Sequence, residues 1–399
     1  MPIVTLFSDI RKKYPEWNQL KEFLTGDEGG KLIIIGNGPI VIIRYDKKTS
    51  NFNIPYVHAF RSVVWDTLAN IPLSIAPFKA SNGNPQDCVI VQDFVEGVMI
   101  QAYIIKDDPK IYLATRTKLG ADTRFYSKKN FSELICDAPE YNTLTSALSL
   151  PYTFMSIVLQ HPEHRIVKLV EQARLFITSM GYVHNDGTVE IEENPSKWSK
   201  EAAAIAPQSF LMPTDFNHLE FTASQVVQNG WQWQGFVMKN INSLQRWRFR
   251  NPLYIIIRDL RGSESELYGR FLRLRRAKQL HMYISYYPEE TKELYDCDIK
   301  FGNQIQELFN EYNAVHRGPK STRKSLKDVG WPLNKYIHAL HGIYINKLKS
   351  QNMEININTV IEYINELDIL KQRALLVTPV GGKYKMMEET DETITPTNI

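Results

Sequence analysis

Apolar residues in the first two thirds of the chain come in short β-branched runs set apart by turns. An amphipathic stretch at 5–25 has helical spacing, after which strand-length runs follow at 31–36, 40–45, 57–66, 71–78, 88–92, 98–105 and 110–115. So many short runs in close succession predict antiparallel sheet, since a parallel pair needs a long crossover between its strands. A helical pattern at 129–149 interrupts, and strand-like runs resume at 152–160, 165–170, 173–179, 231–239 and 247–257. Asn82-Gly83 and Asn185-Asp186-Gly187 are turn signals between such runs. From about 262 the period becomes helical, as in Leu267, Phe271 and Leu274 and later Val360, Ile364 and Leu367. The pattern predicts an α+β chain: a sheet-rich domain over 1–261, a helical domain over 262–385, and an acidic, threonine-rich tail over 386–399 that lacks apolar periodicity and is expected to be disordered.

Composition narrows the class only a little. The 399 residues are 43% hydrophobic and 23% charged, as in ordinary globular proteins. A formal charge of +3 is too small to imply a nucleic-acid partner, so only local clustering of basic residues carries that argument. Cys88, Cys136 and Cys297 are far apart and lack metal-ligand spacing, which argues against a disulfide framework or a zinc site and fits a reducing, intracellular, cytoplasmic setting. Met1 to Leu24 mixes charges among apolar residues and does not read as a signal peptide. The longest apolar runs, such as Leu253 to Ile257, are far shorter than the roughly 20 residues of a membrane helix, so no membrane span is expected.

Six segments over residues 58 to 258 carry a resemblance. They are Arg61-Ser62-Val63-Val64-Trp65-Asp66; Pro77-Phe78-Lys79-Ala80-Ser81-Asn82; Phe94-Val95-Glu96-Gly97; Phe154 to Val167, which keeps a P-x-x-R-I-V portion; Trp233-Gln234-Gly235-Phe236-Val237-Met238-Lys239; and Arg248-Phe249-Arg250-Asn251-Pro252-Leu253-Tyr254. Their order and spacing resemble the successive motifs of the phage RNA-ligase-one family, in which matching segments read A-R-G-x-x-F-[DE], R-P-F-x-K-F-F-N, K-x-D-G-S, F-E-x-[VI]-x-P-x-N-R-I-V, E-G-[FY]-V-x-K and K-x-K-x-x-x-Y. The resemblance implies a nucleotidyltransferase (ATP-grasp-like ligase) core of twisted antiparallel sheets with helices, plus a helical C-terminal domain. It also implies a chemistry: a lysine attacks the α-phosphate of ATP, and the lysyl-AMP formed activates an RNA 5′-phosphate. By the same resemblance Arg61, Lys79, Glu96, Gly97, Lys239, Arg248 and Arg250 are nucleotide- or phosphate-binding residues.

The chain departs from that pattern where the chemistry starts. Phe94 stands at the nucleophile position, a benzene ring has no lone pair for phosphorus, and residues 80 to 105 contain no lysine. Val158 and Gln234 stand where the family has glutamates, and neither an isopropyl group nor a neutral amide replaces an anionic oxygen toward a divalent cation. Glu96 keeps the charge of the family's aspartate, and Arg248 and Arg250 keep that of its lysines as planar forks. The reading is therefore a pseudoenzyme with no catalytic residue and no metal or other cofactor, binding RNA or RNA ends. Two alternatives stay open: an active, divergent ATP-dependent RNA ligase using ATP and Mg with Lys79 or a remote residue as nucleophile, and a scaffolding protein whose helical C-terminal domain meets a protein partner. Such relatives are common in phages and large DNA viruses, so the resemblance is compatible with a viral source.

Between 246 and 278 ten basic residues face three acids, Asp259, Glu264 and Glu266. Arg246, Arg258, Arg261, Arg270, Arg273, Arg276 and Lys278 are the RNA-binding candidates, with Arg270, Arg273 and Arg276 expected on one helix face. Trp231, Trp233, Trp247, Phe249 and Tyr254 are interleaved with them as possible base platforms. Plainer readings exist: Phe94 and Val158 as core side chains, Gln234 as a surface strand residue, 270–278 as the solvated face of an amphipathic helix, the tryptophans as core. His161 and His164, read on a strand, would point to opposite faces and make no metal pair.

Overall fold

A proline divides the N-terminal amphipathic stretch. In the computed structural model, which describes residues 2–82, 90–148, 151–210 and 218–375, this stretch forms two helices, Leu6–Lys13 and Trp17–Thr25. Pro15 offers no N–H and biases Tyr14 away from helical geometry (φ −129°, ψ 78°), so one continuous helix over 5–25 is not formed.

The chain divides into two compact units, Met1–Arg258 and Asp259–Ile399. Among the described residues, three sheets build the first. A four-stranded antiparallel sheet runs Ile33–Ile35, Ile40–Arg44, Val63–Asp66, Ile71–Ile75. A six-stranded antiparallel sheet has the order Ile3–Val4, Val189–Glu192, Arg174–Val183, Phe154–Gln160, Val98–Ile105, Asp108–Ala114. A five-stranded sheet has the order Ser209–Phe210, Ile90–Asp93, Gly235–Lys239, Arg246–Arg250, Ser81–Asn82, with only the last pairing parallel.

The six-stranded sheet is covered on both faces. One face joins Tyr103 and Phe154 to a core with Phe7, Leu20, Val41, Val63 and Trp65. The other joins Ile100, Ala102, Met155 and Ile157 to Leu134, Leu144, Trp198 and Ala202. Double burial explains why Val98–Ile105 is apolar almost throughout. Its polar exception, Gln101, is buried and satisfied: it accepts from Ser74 Oγ at 2.8 Å and donates to Ser62 Oγ at 2.8 Å. The turn at Asn185-Asp186-Gly187 is present, with Gly187 at φ +87°, whereas Gly83 lies outside the described residues.

Several predicted strands are not strands. Residues 57–59 belong to the 3₁₀ helix Pro55–Ala59, 165–170 is irregular, and 231–234 precedes its strand. The run Leu253 to Ile257 lies in the helix Pro252–Arg261. Pro252 is suited to the first helical position, and Asn251 Oδ1 accepts the Leu253 N–H at 3.0 Å, so a capping signal overrides the β preference of the isoleucines. Tyr254, Ile257 and Leu260 are buried at helical spacing while Leu253 and Ile256 are exposed.

The described part of the second unit is helical, with Leu267–Arg276, Leu280–Tyr286, the long Thr291–His316, Leu333–Ile343, Ile357–Glu366 and Ile369–Ala374. The tail at 386–399 lies outside the described residues. Among the described residues no helix is long and apolar enough to cross a membrane.

Candidate functional site

Register in the five-stranded sheet sorts the motif residues by face. Val237 pairs with both Gln92 and Arg248, Lys239 with Ile90 and Arg246, and Gly235 with Arg250. Strand alternation therefore sets Gln92, Lys239, Arg246, Arg248 and Arg250 on one face and Val91, Asp93, Phe236, Met238, Trp247 and Phe249 on the other. Phe94 continues the first face: its N–H donates to the Gly235 carbonyl at 2.9 Å, and Arg250 lies over its half-buried ring, 5.4 Å from the centroid.

Glu96 joins three segments that are far apart in sequence. Its buried carboxylate accepts the N–H groups of Val167 and Lys168 at 3.0 to 3.2 Å and the hydroxyl of Tyr254. Burial raises its pKa, and the Val167 and Tyr254 hydrogen bonds oppose that rise. Glu96 thus organises the site from within, without meeting solvent. Gly97 is required next to it, because a Cβ there would sit 2.3 Å from the Leu159 carbonyl oxygen and 2.8 Å from Val158 Cγ1. Val158 is half-buried on Phe154–Gln160.

Cations gather near the Arg248 end of this face. Lys47 is pulled down to about 8, first by burial and then by Arg116, Lys79, Arg248 and Arg61. Arg61 is pulled down to about 10 by burial, with Arg246, Arg116 and Arg248 adding to it. The positions are held by backbone and ring contacts: Arg61 Nη1 donates to the Pro77 carbonyl at 3.4 Å, and Arg116 donates to the carbonyls of Arg61 at 3.2 Å and Tyr45 at 3.3 Å. Arg248 Nε donates to Asn82 Oδ1 at 3.1 Å, and the exposed Lys79 lies 5.0 Å over the Phe52 ring. Ser62, at the end of the Gln101 relay, donates to the Arg116 carbonyl at 3.5 Å. Asp46 is the acid acting on Arg44 and Arg116. Lys47, Arg44 and Arg116 escaped the sequence reading because they lie in or beside turns, separated from the motif segments and from each other.

Lys239 is placed differently from an open phosphate ligand. A bulge lets Thr178 fall between the paired positions Ser156↔Ser179 and Ile157↔Ile177, and the Thr178 carbonyl accepts Lys239 Nζ at 2.9 Å. Burial pushes this ammonium down to about 7, Glu193 pulls it back up, and Arg246 adds to the lowering. Glu193, buried and 3.6 Å from Arg246 Nε, is a carboxylate in this region that the motifs did not point to. Gln234 is buried, which excludes the surface-strand reading.

The basic stripe is largely dismantled. Arg270 is 2% exposed; it meets Glu290 at 2.7 Å and donates to the Glu264 carbonyl at 3.0 Å. Arg261 is buried against the same Glu290 at 2.7 Å, with Tyr283 also bonded to both. Arg273 pairs with Glu264 at 2.8 Å and donates to the Leu260 and Arg261 carbonyls. The expectation that Arg270, Arg273 and Arg276 share a solvated face is corrected: Glu290, outside the basic run, draws Arg270 inward. Arg276 and Lys278 are exposed and Arg258 is half-buried.

His161 precedes a 3₁₀ turn, Pro162–His164, instead of lying on a strand with His164. Asp137, His161 and Glu163 offer ligand atoms within 4.8 Å of one another. The ammonium of Lys129 already sits there, 2.9 Å from Asp137 and 3.3 Å from Glu163. Trp233 and Phe236 are buried together with Val91 and Met238, and Trp247 and Phe249 pack against them, as core residues do.

No family model matches this chain, and no curated protein matches it. Solved structures do match, among them one described as a "Putative ATP-dependent DNA ligase from Aquifex aeolicus", with 11% identity over 74% of this chain and 80% of that one, at a TM-score of 0.40.

Proposed function

We propose that the unit Met1–Arg258 is a nucleotidyltransferase-type fold of the RNA-ligase lineage that binds RNA or RNA ends without forming a lysyl nucleotide. The observation that carries this reading is the face shared by Phe94, Arg250 and Arg248, the last of these acting together with Lys47, Arg61, Lys79 and Arg116. Lys47 and Arg61 are held down first by burial and then by the cations around them, a cost relieved when an anion enters, and a phosphate chain supplies that anion. Phe94 offers no amine, and Lys239, on the same face, is engaged with Thr178.

The motif resemblance supplies the lineage, and Glu96 supports it physically by tying together the segments around Phe94, Val167 and Tyr254. One observation favours the active alternative: Lys47, pushed to about 8, holds some neutral amine at physiological pH, as a nucleophilic lysine must. The scaffolding alternative draws on Tyr295 and Ile299, exposed at i, i+4 on Thr291–His316.

The test of RNA binding is a filter-binding titration with single-stranded RNA over a range of salt concentrations. Affinity falling steeply with salt is expected; no retention at low salt overturns the proposal.

A further inference from the structure

The face of the five-stranded sheet opposite Phe94 carries a cleft of about 200 Å³ whose walls include Asp93, Lys168, Gln208, Phe210, Gln232 and Trp233. Asp93 precedes Phe94, so alternation sends its side chain away from the cations and toward Phe236, its pairing partner. Trp233 Nε1 donates to Asp93 Oδ1 at 2.8 Å, and Gln232 Oε1 accepts the Leu169 N–H at 3.0 Å, which leaves the Gln232 amide nitrogen as a donor. Burial raises the Asp93 pKa, with the Trp233 bond and the charge of Lys168 opposing it.

The chemistry of these walls is selective. An anionic ligand would meet Asp93, and a cationic one would meet Lys168. A neutral, flat ligand suits the half-buried ring of Phe210, and it should offer an acceptor to Lys168 beside donors to Asp93. Guanine has that edge: O6 accepts, and N1–H and the 2-amino group donate side by side. Adenine offers a donor and then an acceptor, which would face the carboxylate with a lone pair. Unpaired bases are commonly recognised in this way, by ring contact plus hydrogen bonds to the Watson–Crick edge.

We propose that this cleft is a guanine-binding pocket, with Asp93 accepting from N1–H and the 2-amino group and Lys168 donating to O6. The inference does not rest on RNA binding by the opposite face.

Equilibrium dialysis of guanosine, inosine and adenosine against the full chain tests it. Guanosine should bind about tenfold or more tightly than inosine, which lacks the 2-amino donor, and than adenosine. Asp93→Asn should weaken guanosine binding about tenfold, and Arg248→Ala should leave it unchanged while weakening RNA retention. Equal affinity of the wild-type chain for guanosine and adenosine, absence of guanosine binding, or its loss in Arg248→Ala would each overturn the pocket. The nucleoside comparison on the unaltered protein keeps the test meaningful if Asp93→Asn does not fold.

Discussion

The guanidinium of Arg250 lies over the ring of Phe94, 5.4 Å from its centroid. A cation over an aromatic face is attracted by the ring quadrupole, on the order of 0.5–2 kcal/mol depending on desolvation. An ammonium in place of that ring would repel the same guanidinium. Phe94 thus holds a cation where a lysine would add one.

Lys239 should make stability depend on pH. Its ordinary value of 10.5 falls to about 7 in the folded chain. Between those values the unfolded chain binds a proton that the folded chain does not, so stability rises with pH across the window and the full cost is present below it. Lys239→Met should therefore unfold at a higher urea concentration than wild type near pH 6, by a few kcal/mol. The gap should close toward pH 10, where the lost Thr178 bond, about 1 kcal/mol, is what remains. Parallel urea curves at every pH would contradict this placement.

Lys47 should make RNA binding depend on pH in the opposite sense. On the proposed reading its ammonium meets phosphate, and that charge is lost as pH rises through about 8. Retention of single-stranded RNA should weaken several-fold between pH 7 and pH 9, and Lys47→Arg should flatten that profile. Lys47→Ala and Lys79→Ala should each lower the slope of log affinity against log salt by about 0.7. Unchanged slopes would remove these lysines from the interface.

Arg270 should matter to stability and not to RNA. Removing it deprives Glu290 of one of two buried cations, so Arg270→Ala should cost about 3 kcal/mol in guanidinium unfolding. RNA retention by the folded fraction should equal wild type. Weakened retention with unchanged stability would restore Arg270 to a binding face.

Much of the fold was legible in the pattern of apolar residues, for identifiable reasons. Val98–Ile105 is legible at both ends because two buried faces leave a run that is apolar except for Gln101, bounded by Gly97 and Lys106. Leu253 to Ile257 misled because isoleucine composition outweighed the Asn251-Pro252 start signal. The candidate site was legible in part: the resemblance pointed to Phe94 and Arg248, which share a sheet face, while Lys47 and Arg116 are brought near by tertiary contacts that no spacing encodes. Arg270 was misjudged because its partner Glu290 is twenty residues away, outside the run whose charges were compared.

Incubation of the chain with ATP labelled at the α-phosphate and a divalent metal, followed by a denaturing gel, tests the central claim most directly. Wild type, Lys79→Ala and Lys47→Ala should all show no labelled protein band, while the same wild-type preparation retains RNA on a filter. A labelled wild-type band that disappears in either variant would identify a working nucleophile and contradict the account.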